Sequence, residues 1–404
     1  MKDASKIILN KFFLALLAAL PSIYAVLFTP SLPFLADYFN VAFSQSQLPM
    51  SVFLLGYAFG QLPYGPLSNR FGRKPILCLG IAIAIASCFL CILAGYLKSF
   101  PLFVLARFLM AMGSCAGLNI AFTIVGDIYS KIQALKIFSF IMLFSAIIPG
   151  SATCIGGVIM EHLGWQSCFY FLILFGTVIL IVSYCVLPET LIKVDPSALQ
   201  WKAILKDYAE ECKNTQLLLS AVITGCGASM IYLFASAAPF IGINLIGMDP
   251  DQYGTWAFFP SLGLAVGSLF TEHISSRMTP KQLLWLGSKI LLIASLLSLS
   301  AFYFGHINPW SLFFPMLCID TGLAFVFATT AAIALTGAKN KSIGSSLMHF
   351  INLGITVISV YLIGITSIKN PVMLPLLFLL LVLVISFLMR KLVASLKEEP
   401  STSL

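Results

Sequence analysis

Two ionisable side chains stand apart from every other charge in this 404-residue chain. Of its fifteen Asp and Glu residues, all but Asp320 fall in polar segments or at the edges of apolar stretches. Asp320 lies ten residues into the apolar run 310–335, about 15 Å from its start at 1.5 Å per residue. An acid that deep in a bilayer costs about 2.5–3.5 kcal/mol and is a functional candidate by default. Proton or substrate work is one reading; an ion pair with Lys289, or a hydrogen bond to Thr321 or Thr329, is the structural alternative. Arg107 is the second such charge, six residues into the run 101–126. An unpaired buried charge is unfavourable, so Arg107 calls for Asp320 across a cavity, an anionic ligand, or a route to the surface. A guanidinium grips a carboxylate or phosphate bidentately. The four histidines (His162, His273, His306 and His349) are scattered, and the ten cysteines form no cluster with them. No metal, no cofactor and no hydrolytic constellation is expected.

Weaker candidates lie on the same kind of segment. Ser229, Tyr232 and Ser236 recur at i, i+3 and i+7, one polar stripe on a helix. Tyr24 can hydrogen-bond a ligand, and Asn119 suits an interhelical bond. His349 with Asn352 could relay protons or be satisfied locally, and Lys289 snorkels or pairs.

The elements that must position these groups follow from composition. The chain is 59% hydrophobic and only 9% charged, against about a quarter charged in soluble proteins. Twelve apolar stretches are long enough to cross a bilayer: 11–33, 47–67, 75–96, 101–126, 135–160, 165–187, 215–242, 252–271, 282–303, 310–335, 343–367 and 371–391. Backbone groups in lipid must bond internally, so the fold class is an all-α membrane protein. The first stretch is too long for a signal sequence, lacks a cleavage site and is followed by Pro30 and Pro33. The net charge of +8 is no nucleic-acid signal. Nineteen of the 23 Lys and Arg fall on one side when the loops are numbered alternately, which orients both termini to the cytoplasm.

The chain also repeats at half length. Gly56-Tyr57-Ala58-Phe59-Gly60 returns as Gly263-Leu264-Ala265-Val266-Gly267, and Pro33-Phe34 as Pro239-Phe240. A six-span offset preserves orientation, which implies two parallel six-helix bundles, 1–187 and 215–404, with a substrate site between them. The connector 188–214 carries Trp201, Ile204, Leu205, Tyr208 and Cys212 on one helical face and reads as a short helix on the membrane surface.

Gly65-Pro66-Leu67-Ser68-Asn69-Arg70-Phe71-Gly72-Arg73-Lys74 resembles the signature of the major facilitator superfamily. Gly60-Gln61-Leu62-Pro63-Tyr64-Gly65-Pro66, Ala106-Arg107-Phe108-Leu109 with Gly113 and Gly117, and Pro239-Phe240 narrow the resemblance to the Bcr/CflA group of drug:proton antiporters. The likeness covers nearly the whole chain. It implies a monomeric carrier whose spans 1, 4, 7 and 10 line a cavity. It also implies a cytoplasmic gate in which Arg70, Arg73 and Lys74 latch onto acids such as Asp127, with Gly65 and Gly72 permitting a tight turn.

Three departures matter. Asn69 stands where the signature has an acid, which removes a negative charge from the latch. Span 4 ends Val125-Gly126-Asp127 where the group has an arginine before the aspartate, and the span 5 motif keeps Gly156-Gly157 but reads Ala152-Thr153 where it usually has Gly-Pro. Val26 occupies the place of the span 1 carboxylate that usually accepts the proton. Efflux of amphipathic compounds by proton antiport, with Asp320 taking over the coupling, is the first functional reading, in a bacterial-type inner membrane. The alternative is a carrier of a small organic anion, such as a polycarboxylate siderophore or metabolite, gripped by Arg107. Neither an enzyme nor a channel fits the residues.

Overall fold

Proline placement decides how the first span ends, and that ending shapes the site. The structure, a computed structural model, describes residues 11–129, 131–191, 206, 208–275, 277–336, 341–365 and 370–395. Helix α1 (Lys11–Val26) stops where Pro30 withholds an amide, and the chain passes through a 3-10 turn, Thr29–Ser31, into α2 (Leu32–Tyr38). A one-turn α3 (Phe43–Ser46) leads to α4 (Leu48–Phe71), α5 (Arg73–Tyr96), α6 (Phe100–Ile128), α7 (Lys131–Leu163) and α8 (Trp165–Val186). After the connector come α9 (Thr215–Pro239), a π turn (Phe240–Leu245), and α10 (Pro250–Ser275). Helices α11 (Pro280–Tyr303), α12 (Pro309–Thr336), α13 (Lys341–Ile365) and α14 (Met373–Ser395) complete the chain.

Ten of the helices are long and apolar enough to cross a membrane. The remaining two of the twelve stretches are α4 and α10, of 24 and 26 residues. Both are long enough to span, but they carry glycine, proline and polar residues because each is sheathed by other helices: α4 lies against α6 and α13, α10 against α12 and α7.

The packing repeats as the sequence does. Helix α1 packs on α6 and α7, α4 on α6, α5 on α6 and α8; likewise α9 packs on α12 and α13, α10 on α12, α11 on α12 and α14. The recurring glycines lie at matching crossings. A Cβ at Gly56 would overlap the Phe108 carbonyl of α6, and one at Gly263 the Leu317 carbonyl of α12. Small residues are what let helix backbones approach this closely in a bilayer.

The two halves meet along α7 with α10 and α4 with α13. At the end remote from the signature, Gln47 Nε2 donates to the Ser236 carbonyl at 3.1 Å, and Gly157 abuts Pro250 and Gly254. Phe59 meets Phe350 edge-on near mid-depth.

Candidate functional site

Arg107 is fully buried, and what holds it is the end of α1. With the helix finished at Val26, the carbonyls of Tyr24 and Ala25 lose the amides that would otherwise reach them. Arg107 Nη1 donates to Tyr24 O at 2.7 Å, and Nη2 to Ala25 O at 3.2 Å. Thr29 Oγ1 covers the Val26 carbonyl at 2.8 Å, the one that Pro30 orphans. The guanidinium carbon sits 3.9 Å from the Phe28 ring centroid and 4.4 Å from that of Phe53.

The magnitudes decide the role of Arg107. A cation at a helix C-terminus gains up to about 2 kcal/mol in a buried setting, and a desolvated cation–π contact about as much. Together these offset an insertion cost of about 2.5–3.5 kcal/mol with no anion present. In this structure Arg107 caps α1 through both Nη atoms, where a grip on a substrate was expected, and its Nε is buried without a partner. Val26 can replace a carboxylate here because two carbonyls and two rings take over the counter-charge.

Asp320 presents the opposite case. It is 5% exposed, and its Oδ1 is buried without a hydrogen-bond partner. Each structural alternative is otherwise engaged. Thr321 Oγ1 donates to the Gly263 and Leu317 carbonyls, and Thr329 Oγ1 to Phe325 O. Lys289 is exposed on the outer side of α11, so its expected pairing with Asp320 is corrected as well. Asp320 shares a face of α12 with Leu323 and Phe327, which cover Gly227 of α9. The carboxyl is thus directed towards α9 and the interior, with no cation paired to it among the described residues.

The polar stripe on α9 divides. Ser229 Oγ bonds back to Gly225 O at 2.7 Å and Ser236 Oγ to Leu233 O at 3.1 Å, and both are fully buried. Those two are corrected from ligand contacts to helix-internal bonds, the usual habit of membrane serines. Tyr232 remains half-buried and lies within electrostatic reach of Tyr57 on α4. Asn119 donates to Gln61 Oε1 at 2.8 Å, which leaves Gln61 Nε2 buried and unpartnered. Tyr57, Gln61 and Asn119 from one half and Tyr232 from the other thus form a polar crossing between the halves. Tyr24 does not join it. Its hydroxyl donates to Leu172 O of α8 at 3.1 Å, so that expectation too is corrected. His349 is half-buried on α13, beside the Phe350–Phe59 contact.

The signature folds differently from a loop. Residues 65–71 are the last turns of α4, and Gly72, at φ +99°, is the whole connection to α5. Only glycine adopts that conformation without strain. Gly65 lies inside α4 with open space where a Cβ would stand, so of the two glycines expected to permit the tight turn only Gly72 makes it. Arg73 gathers the cluster. Its Nε lies 3.1 Å from Asp127 Oδ2, and its Nη1 donates to Ser68 Oγ and to Asn69 Oδ1. Lys74 lies over the Tyr184 ring, while Arg70 is half-buried. Every partner named lies within residues 65–190, so these bonds tie one half to itself.

Residues 12–360 match the Major Facilitator Superfamily. The chain belongs to that family. It is an all-α, multi-pass membrane protein of a transporter superfamily. An uncharacterized transporter of Rickettsia bellii is 30% identical over 68% of this chain and 66% of its own length. The bicyclomycin resistance protein homolog of Haemophilus influenzae is 27% identical over 66% of both chains. The multidrug resistance protein MdtL of Shewanella oneidensis is 26% identical over 84% of both. The alignments to the first relatives thus span just under two thirds of those proteins. The names agree with the Bcr/CflA-like motifs. Among solved structures, the partially occluded inward open form of the xylose transporter XylE from E. coli superposes with a TM-score of 0.76 at 15% identity, over 98% of this chain and 99% of that one. That likeness establishes the fold alone.

Two features of this superfamily member lay beyond the sequence reading. Glu189, just past α8, accepts from the backbone amides of Arg73 at 2.9 Å and Lys74 at 3.1 Å, capping the start of α5. Thr190 Oγ1 adds a bond to Asp127 Oδ2 at 3.1 Å. Glu189 thereby brings a carboxylate to the signature, where Asn69 stands in place of the usual acid. A clue was available: an acid at the inner end of span 6 shares the membrane level of the signature. The second feature is the division of labour in Gly156-Gly157. A Cβ on Gly156 would strike the Leu27 carbonyl at the end of α1, whereas one on Gly157 would strike Pro250 of α10. Of the connector face, Trp201, Ile204 and Leu205 lie outside the described residues. Tyr208 packs against the base of the second half, near Ser346, where burial raises its hydroxyl above the ordinary tyrosine range.

Proposed function

We propose that the chain exports amphipathic small molecules by alternating access in exchange for protons, and that Asp320 carries the proton. The observation behind this reading is Asp320, the one buried carboxyl among the described residues with an orphan oxygen and no counter-ion. A neutral acid tolerates such a site far better than a charged one, so ionising it calls for a partner. That partner is the substrate's cationic or polar group, or water admitted when the carrier opens. Binding of one then displaces the other, the exchange an antiporter needs. The polar crossing of Tyr57, Gln61, Asn119 and Tyr232 supplies hydrogen bonds beside it. Residues 1–187 and 215–404 are the two rocking units. The protein sits in the inner membrane, both termini cytoplasmic, and its contacts at the end remote from the signature describe a carrier closed to the outside.

The names of the relatives, bicyclomycin and multidrug resistance, support efflux as the direction. The organic-anion alternative is less well supported, because both Nη atoms of Arg107 are engaged at the end of α1 and only its buried Nε is unpartnered. The test uses everted membrane vesicles with an imposed pH gradient, following ethidium or bicyclomycin uptake and the accompanying proton release. Substrate-dependent proton release that disappears in Asp320→Asn is expected. Undiminished release in that variant would end the proposal.

A further inference from the structure

Lys289, a cation placed deep on the outer surface among the described residues, takes no part in the proposed transport. It lines a groove of about 520 Å³ on the outside of the second half, with Lys281, Gln282, Trp285 and Thr279. The groove opens at the signature end of α11 and is lined by that helix and the residues just before it, with α14 packed alongside: the Arg390 guanidinium lies 6.0 Å from the Trp285 ring centroid. No acid pairs with Lys281, Lys289 or Arg390 among the described residues. The amides at the start of α11 are already used by the Thr279–Gln282 capping box, so the side chains alone define the charge of the groove.

Lys281 and Lys289 are eight residues apart, so one ammonium sits at the membrane surface and the other stems from about 12 Å deeper. A lysine at that depth on a lipid-facing helix must snorkel or find a counter-ion. Further along the same two helices the surface turns apolar: Ile293 and Leu297 on α11, Leu383 and Phe387 on α14, are all more than half exposed. A cationic cup continuous with an apolar furrow matches one kind of molecule. We infer that the groove binds an anionic phospholipid, its phosphate between Lys281 and Lys289 and its acyl chains along Ile293, Leu297 and Leu383. Trp285 sits where tryptophan is favoured, at the interface of bilayer and water. A basic pocket between spanning helices is a recognised setting for anionic headgroups. The volume lies within the range of small-ligand sites. A soluble phosphate would use the cup and leave the furrow bare. Assignment to the cytoplasmic leaflet rests on the proposed orientation; the lipid class does not.

The experiment is native mass spectrometry, with thermal melting, of the detergent-purified full-length protein titrated with phosphatidylglycerol or phosphatidylethanolamine. Phosphatidylglycerol should stay bound at concentrations at least tenfold below phosphatidylethanolamine and raise the melting temperature. The double variant Lys281→Gln/Lys289→Gln should lose that preference, Lys289→Arg should keep it, and Lys98→Gln, on the opposite end, should leave it unchanged. Equal retention of the two lipids by the wild type would overturn the inference. So would an unchanged preference in the double variant, or an equal melting shift with inorganic phosphate alone. None of these readouts involves transport or a pH gradient, so they stand or fall apart from proton coupling.

Discussion

An offset of 206 residues carries Phe28 onto Phe234, the crossings that match Phe108 with Leu317 carry Arg107 onto Met316, and the two neighbourhoods are built differently. In the first half a guanidinium lies on the Phe28 ring. In the second, the Phe313 ring meets Phe234 edge-on at 5.7 Å and stacks on Trp256 at 5.8 Å. The backbone accounts for the contrast. Helix α1 breaks at Val26 and leaves carbonyls to be satisfied, whereas α9 runs unbroken to Pro239 and continues into a π turn. A buried cation is required in one half and would be a liability in the other. By the same crossings Asp320 maps the other way, onto Ala111, a buried side chain with no polar group. One half thus holds a charge for architecture, and the other holds one that architecture does not explain.

The sharpest way to break this contrast is to exchange the roles. Asp320→Asn should reduce substrate-driven proton release in vesicles to background while the melting temperature stays within a few degrees of wild type. Arg107→Met should do the reverse. It strands the α1 carbonyls and should destabilise the protein by about 3–5 kcal/mol, the usual cost of removing one partner of a buried charged contact. Detergent melting would read this, and any correctly folded Arg107→Met protein should still couple protons. If instead it folds normally and loses an anionic substrate, the contrast fails. Arg73→Ala comes next. Loss of its charged hydrogen bonds should cost about 1.5–3 kcal/mol and expose Asp127 and Asn69 to labelling of engineered neighbouring cysteines. Smallest is Tyr24→Phe, which removes one bond to Leu172 O and should cost about 1 kcal/mol with no change in KM for any substrate. A raised KM there would return Tyr24 to the substrate site.

Much of this arrangement is legible in the letters, and the remainder fails for identifiable reasons. Apolar run length foretells the spans, because lipid leaves the backbone no other choice. The half-length repeat is visible in glycines whose positions have a steric cause. Asp320 stands out because so few acids share its depth. The role of Arg107 is hidden because its partners are carbonyls, which every residue carries; only the break after Val26 selects them. The serines of α9 look like a stripe, but whether a hydroxyl turns back onto its own helix is a rotamer question that spacing does not answer. Lys289 and Asp320 sit on adjacent helices, yet they point to opposite sides, and sequence records only the adjacency.

The bonds made by Glu189 and Thr190 have a mechanical consequence. The leash between the halves is fastened at the α4–α5 turn, about four residues beyond the end of α8, and so gives up roughly 14 Å of extended reach. Tyr208, lodged under the second half, fastens the other side. On the proposed rocking of one half against the other, a pull arriving at Glu189 reaches the Gly72 turn first, at the proposed inner gate.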